Sequence, residues 1–232
     1  VNLDGSVKVE FVIKVDNKTN EIIDSVMVKD DLNTSFNTTK GITVQPIEVS
    51  GGLIRNAPYD GFNDIFMSTK NSSVGAKRVD SILLTFLVKN AQIAGEYQNT
   101  ATVTAMTSYG KLNLVSNDPI NNPNGLASRL ATKFIMPKVD VVIPEGFSPN
   151  NDGIDDSWLI QKPFGTKLSV KIFNRWGNQL FASDNYQNDW KGKGVNNFLG
   201  EDLPEGTYFY IVEATDVNGN TQKFSGPLTI MR

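Results

Sequence analysis

The chemistry open to this chain is bounded by the reactive side chains it carries, and it contains neither cysteine nor histidine. Their absence removes thiol nucleophiles, serine–histidine triads, structural zinc and imidazole bases together. Carboxylate and lysine chemistry remain. The acidic pairs Asp30 with Asp31 and Asp155 with Asp156 are adjacent in sequence. In a strand such neighbours point to opposite faces, and in a turn they are solvated. No glycine-rich phosphate loop or nucleophile elbow accompanies them, so the chain reads as a non-enzyme. The densest set of oxygen donors lies in FSPNNDGIDD, where Asn150, Asp152, Asp155 and Asp156 surround a glycine that permits a sharp turn. Hard oxygens in this arrangement fit Ca2+, although the bidentate Glu of an EF-hand is missing. The same residues fit an Asx-rich turn whose side chains bond their own backbone amides. No other cofactor is expected.

Aromatic residues give a second set of candidates. Trp176 and Trp190 fit core or strand-end packing, because buried rings dominate the energetics of small sandwiches. Arg175, next to Trp176, has a ring to stack on or Asp189 to pair with; if this turn is exposed, it becomes a receptor contact. Tyr208 and Tyr210 share one face of an extended run, with Phe209 and Ile211 on the other. Two apolar faces fit a central strand covered on both sides, or one face offered to a partner, the first being preferred. In the first half, Tyr59, Asp60, Phe62 and Asn63 form a candidate glycan patch.

The elements that must position these residues are strands. The chain has 232 residues, 39% of them hydrophobic and 20% charged, which fits two ordinary folded domains. Net charge is −3, so no positive field gathers phosphates, and nucleic acid is not an expected partner. No apolar stretch reaches the roughly 20 residues of a membrane helix, so direct insertion is not expected. The chain opens at Val1 without a signal-like segment, which implies a fragment whose export signal lies upstream, whereas Met231 and Arg232 follow a strand as a natural terminus would.

Residues 7–15, VKVEFVIKV, alternate apolar and polar side chains with period two, as a half-buried strand does. Similar runs occupy 23–29, 42–49, 79–90, 97–106 and 111–115, separated by Asn, Asp and Gly clusters. A long irregular stretch, 50–77, is expected to be pinned by Tyr59, Phe62 and Phe66, and 116–129 has the composition of a linker. Residues 131–136 still fit pairing with the first domain, and a boundary is placed at 137–140. Beyond it, KLSVKIFN at 167–174 and residues 179–183 form one hairpin. GTYFYIVEA at 206–214 and residues 221–230 form another around Asn218 and Gly219. The fold class is all-β, two Ig-like β-sandwich domains in tandem spanning 1–138 and 139–232.

The ordered motifs PEGFSPNNDGIDDSW, VKIFNRWGNQLF, DWKGKG, LPEGTYFYIV and LTIMR resemble the type B C-terminal sorting domain of the type IX secretion system in Bacteroidota, known from gliding motility proteins. The match covers 141–232. The preceding segments VEFVIKVDNKTNEIIDSVMVKDDL and GEYQNTATVTA resemble Ig-like repeats of mobile gliding adhesins. The resemblance implies a folded export signal ending a cell-surface adhesin, outside the outer membrane. Implied partners are a PorV-like shuttle, a PorP/SprF-like receptor and the translocon. Phe147, Arg175, Trp176, Trp190, Tyr208 and Arg232, all within these motifs, are the candidate partner-recognition residues.

Overall fold

A computed structural model of the chain describes residues 1–36, 39–89, 94–120, 130–194 and 202–232. Part of the expected linker, 121–129, and the end of the expected strand at Asn90 lie outside the described residues. The chain divides into two compact units, Val7–Lys138 and Val139–Arg232 joined by Val1–Ser6. Both are built from β-strands, with one short 3-10 turn at Leu32–Thr34, as the period-two patterns require.

In the N-terminal unit, β1 (Val7–Asp16) pairs antiparallel with β5 (Val79–Val88) along its whole length. Val7, Val9, Phe11, Ile13 and Val15 take the inner face, and Phe11 meets the edge of Phe134 at 5.1 Å. β3 (Ile42–Val44) and β4 (Glu48–Val49) pair with β5 on its other side. One strand was expected over 42–49. Pro46 lacks the N–H that a continuous ladder needs, so the run breaks there while Ile47 is buried. β2 (Asp24–Asp30), β7 (Ala101–Thr107) and β8 (Gly110–Val115) form a second sheet, and β6 (Gly95–Asn99) pairs with β9 (Thr132–Met136) in a third. The expected single strand at 97–106 is therefore two, changing sheets at Thr100.

The irregular stretch 50–77 lies along β2 through isolated bridges and backbone hydrogen bonds, such as that from the Met67 amide to Val28 O at 2.8 Å, and side chains supplement them. Ser68 Oγ accepts from the Val28 amide at 2.8 Å and donates to the Val26 carbonyl at 2.9 Å, bonding β2 as a neighbouring strand would. Its buried anchors are Leu53, Tyr59, Met67 and Val74, whereas Phe66 is exposed.

Asp30 is fully buried and accepts a 2.7 Å hydrogen bond from Asn99 Nδ2. Its Oδ1 and the buried Tyr59 hydroxyl have no partner among the described residues. Burial pushes the Asp30 carboxyl up to about 6 against the opposing hydrogen bond from Asn99, with a small added push from Asp31. The native state thus holds the Asp30 proton more tightly than the unfolded chain does. The stability this contributes is fully present below the ordinary carboxylate pKa and is lost as pH rises through about 6. Asp30→Asn should therefore stabilise the N-terminal unit by roughly 1–3 kcal/mol at pH 8 relative to its effect at pH 4. Denaturant midpoints at the two pH values check this.

The described strands of the C-terminal unit form a five-stranded sheet, ordered β10 (Gly146–Phe147), β14 (Thr221–Ile230), β13 (Gly206–Thr215), β11 (Lys167–Phe173) and β12 (Gln179–Ser183). β10 lies parallel to β14 and the other pairs are antiparallel. Leu168, Val170 and Ile172 of β11, Tyr208, Val212 and Ala214 of β13, and Leu228 and Ile230 of β14 share a buried inner face. Gly226 of β14 stands opposite Tyr210, where an added Cβ would come within 2.9 Å of the tyrosine hydroxyl. A glycine lets that ring lie over the strand. On the outer face Phe209 is 46% exposed between Phe173 and Pro227. The central strand is thus not covered on both sides, contrary to the preferred expectation. In the hairpin turn after β13, only Gly219, not Asn218, takes positive φ, at 87°.

Candidate functional site

Facing the sheet's inner side are segments with few strand hydrogen bonds, 141–165, 184–194 and 202–205. They are tied down by isolated bridges, Val142 with Gln161 and Lys193 with Asp202, and by a cluster of rings. Trp158 lies 6.2 Å from Tyr186, 6.4 Å from Trp190 and 5.3 Å from Tyr210. Trp190 stacks on Phe181 at 5.2 Å and tilts against Phe147 at 5.4 Å.

The polar atoms of these rings bond the backbone. Trp158 Nε1 donates to Pro144 O at 2.9 Å, and Trp190 Nε1 donates to Lys193 O at 2.8 Å. The Tyr186 hydroxyl donates to Trp158 O at 2.6 Å, while the Trp158 amide donates to Trp190 O at 3.0 Å. Asn188 closes the layer, accepting from the Ile160 amide at 3.0 Å and donating to its carbonyl at 3.1 Å. Burial pushes the Tyr186 phenol up, which keeps it a protonated donor. In DWKGKG, Gly192 adopts φ 72°, and a Cβ there would sit 3.3 Å from Ile230 and 3.5 Å from Phe147. That glycine turns the chain against the core and leaves Lys191 and Lys193 exposed on either side.

Phe147, Trp190 and Tyr208, read from sequence as partner-recognition residues, are buried and packed in the core, with Trp190 also reaching the lining of a surface cleft beside Phe181. The Tyr208 hydroxyl donates to Pro204 O at 2.7 Å. Arg232 acts as a clasp: its amide donates to Glu205 at 2.8 Å and its guanidinium to Leu203 O. Trp176 is 73% exposed, and the Arg175 guanidinium lies 4.8 Å above its ring. Their turn is set by Asn174 Oδ1, which accepts from the amides of Trp176 at 3.0 Å and Asn178 at 2.9 Å. Of the expected recognition set, the fold leaves Arg175, Trp176 and Arg232 exposed, the last with its amide and guanidinium engaged in the clasp.

The loop 148–156 is likewise self-bonded. Asp156 accepts from the amides of Asn151 and Gly153, Asp152 from Ile154, and Asn150 from Asp152. Among the described residues no group of three or more acidic side chains is placed to hold a metal ion. Asn150 and Asp152 thus form Asx turns, Asp156 accepts across the loop from earlier amides, and Asp155 adopts a positive φ of 51°. In the N-terminal unit the candidate glycan patch is also dispersed. Tyr59 is buried, and Asp60 accepts from the amides of Phe62, Asn63 and Asp64. The Asn63 side chain and these amides hold its carboxyl down at about 2.

Residues 141–230 match the family model of the CHU_C type IX secretion signal domain. The C-terminal unit is thus similar to type IX secretion signal domains over nearly its whole length. No curated protein matches the chain in sequence. Among solved structures, the major pilin BcpA of Bacillus cereus aligns at 10% identity and TM-score 0.38, covering 97% of this chain and 63% of that one. Domains D2 and D3 of the Corynebacterium diphtheriae pilin SpaD align at 13% and 0.34, covering 94% and 83%. Latent PorU of Porphyromonas gingivalis aligns at 15% and 0.24, covering 97% and 18%. The chain spans about three fifths of the length of the BcpA structures. No helix among the described residues is long and apolar enough to cross a membrane.

Tyr186→Phe should leave Trp158 O without its donor and cost about 1–2 kcal/mol. Trp176→Ala should change stability by less than about 0.5 kcal/mol. Urea midpoints of the whole chain measure both.

Proposed function

We propose that the C-terminal unit is the sorting address of a large cell-surface adhesin used in gliding motility, with the N-terminal unit as its spacer. The adhesin leaves a bacterium of the Bacteroidota through the type IX system and stands outside the outer membrane. Its partners are a PorV-like shuttle, a PorP/SprF-like receptor and the translocon. The observation that carries this reading is the coincidence of the matched segment 141–230 with a single compact unit starting at Val139. Its motif residues build one core and display one aromatic tip. The glycan reading is disfavoured by the buried Tyr59 ring and the occupied Asp60 carboxylate.

A periplasm-targeted reporter fused to the whole chain should appear outside a type IX-competent cell, whereas a fusion ending at Lys138 should stay in the periplasm. Equal export of both, or of neither, contradicts the proposal. Calcium binding at 150–156 is a separate proposal supported by the oxygen-rich sequence. It predicts a melting temperature that rises with calcium and no longer does so in Asp152→Asn. Identical curves in calcium and chelator remove it.

A further inference from the structure

The C-terminal sheet protects one of its edges and leaves another open. Along β14, residues 221–228 border β13 on one side only, but Lys223 and Pro227 blunt that edge with a charge and a missing amide donor. β12, at the other end, pairs among the described residues with β11 alone, and its sequence QLFAS has neither charge nor proline. Its outward backbone groups offer a row of donors and acceptors that another strand would match.

Beside this edge lies a cleft of about 390 Å3 lined by Phe181, Ala182, Ser183, Asp189, Trp190, Lys191 and Lys193. The stacked Phe181 and Trp190 rings give it an apolar floor. Lys191 and Lys193 rim it, Lys193 reaching Asp202 at 3.6 Å in an exposed pair that a better-placed carboxylate can displace at little cost. The exposed Arg175–Trp176 tip immediately precedes β12 in the chain. The aromatic tip precedes the start of this strand edge and the lysine-rimmed apolar cleft borders its end.

We propose that β12 receives an extended segment of a partner protein by strand addition, with an apolar side chain of that segment in the Phe181–Trp190 cleft and an acidic one at Lys191 and Lys193. Backbone pairing along Gln179–Ser183 supplies affinity, and the alternating side chains of the added strand supply selectivity. The positive rim favours a partner strand with carboxylates and speeds encounter at low salt. This inference rests on the sorting reading and specifies the chemistry of the machinery's recognition element.

The test uses the reporter fused to the whole chain, with Ala182→Pro to block the edge and Lys191→Glu with Lys193→Glu to reverse the rim. Melting of each variant chain is recorded alongside export. The expected result is that the wild-type fusion is exported and the charge-reversed variant, melting as wild type does, loses at least about tenfold of its extracellular reporter. Ala182→Pro should lose as much, and it is scored only if its melting is unchanged, the charge-reversed variant deciding otherwise. Wild-type export by the charge-reversed variant, or by a folded Ala182→Pro variant, overturns strand addition while leaving the sorting reading intact. Failure of the wild-type fusion itself overturns both. If light scattering finds the chain dimeric and Ala182→Pro makes it monomeric, the edge belongs to a second copy, and the proposal also falls.

Discussion

The C-terminal unit depends on tryptophan and tyrosine polar atoms doing the work of a missing ladder. A single sheet buries only one face, and the chain that covers it here runs mostly without strand partners, so its amides and carbonyls need other hydrogen bonds. Trp158, Tyr186 and Trp190 supply them while filling the core with rings, and Asn188 pairs both backbone groups of Ile160. Each ring contributes burial and a directional tie at once, which an aliphatic side chain cannot do. An unpaired polar atom in such a core costs about 1–3 kcal/mol, so the set stands or falls together.

This constraint explains why the motif residues are what they are. Trp190 and Gly192 in DWKGKG close the covering layer, and the lysines between and after them are thereby fixed at the rim of a cleft. Asn174 fixes the turn that displays Trp176. Leu203 and Glu205, the second residue of the PEGTY turn at 204–208, take the Arg232 clasp. Much of what looks from sequence like a recognition code is the scaffold that holds a small displayed surface, and the display reduces to the 174–178 tip and the edge that follows it.

Regular alternation made the long strands legible: β1, β5, β11 and β13 face as their period-two patterns require. Pattern failed where a local feature overrode it. Pro46 split one expected strand, and the sheet change at Thr100 split another, because hydrophobic alternation carries no information about which sheet a strand joins. Trp176 and Trp190 could not be told apart, since irregular segments have no period from which burial can be read. Phe209 and Tyr208 lie on opposite faces as alternation requires, but which face the covering layer takes is a tertiary fact. For the acidic loop, composition fits both a cation cage and Asx turns, and it does not show the positive φ that the backbone takes at Asn151, Gly153 and Asp155.

The central claim, that ring-to-backbone hydrogen bonds make the covering layer as firm as the sheet it covers, is tested most directly by native-state hydrogen exchange. The amides of Trp158, Ile160, Tyr186 and Trp190 should exchange only through the same global opening as the amides of β13, with matching free energies. Exchange at those four amides as rapid as at the exposed turn amides of Trp176 and Asn178 would contradict the account.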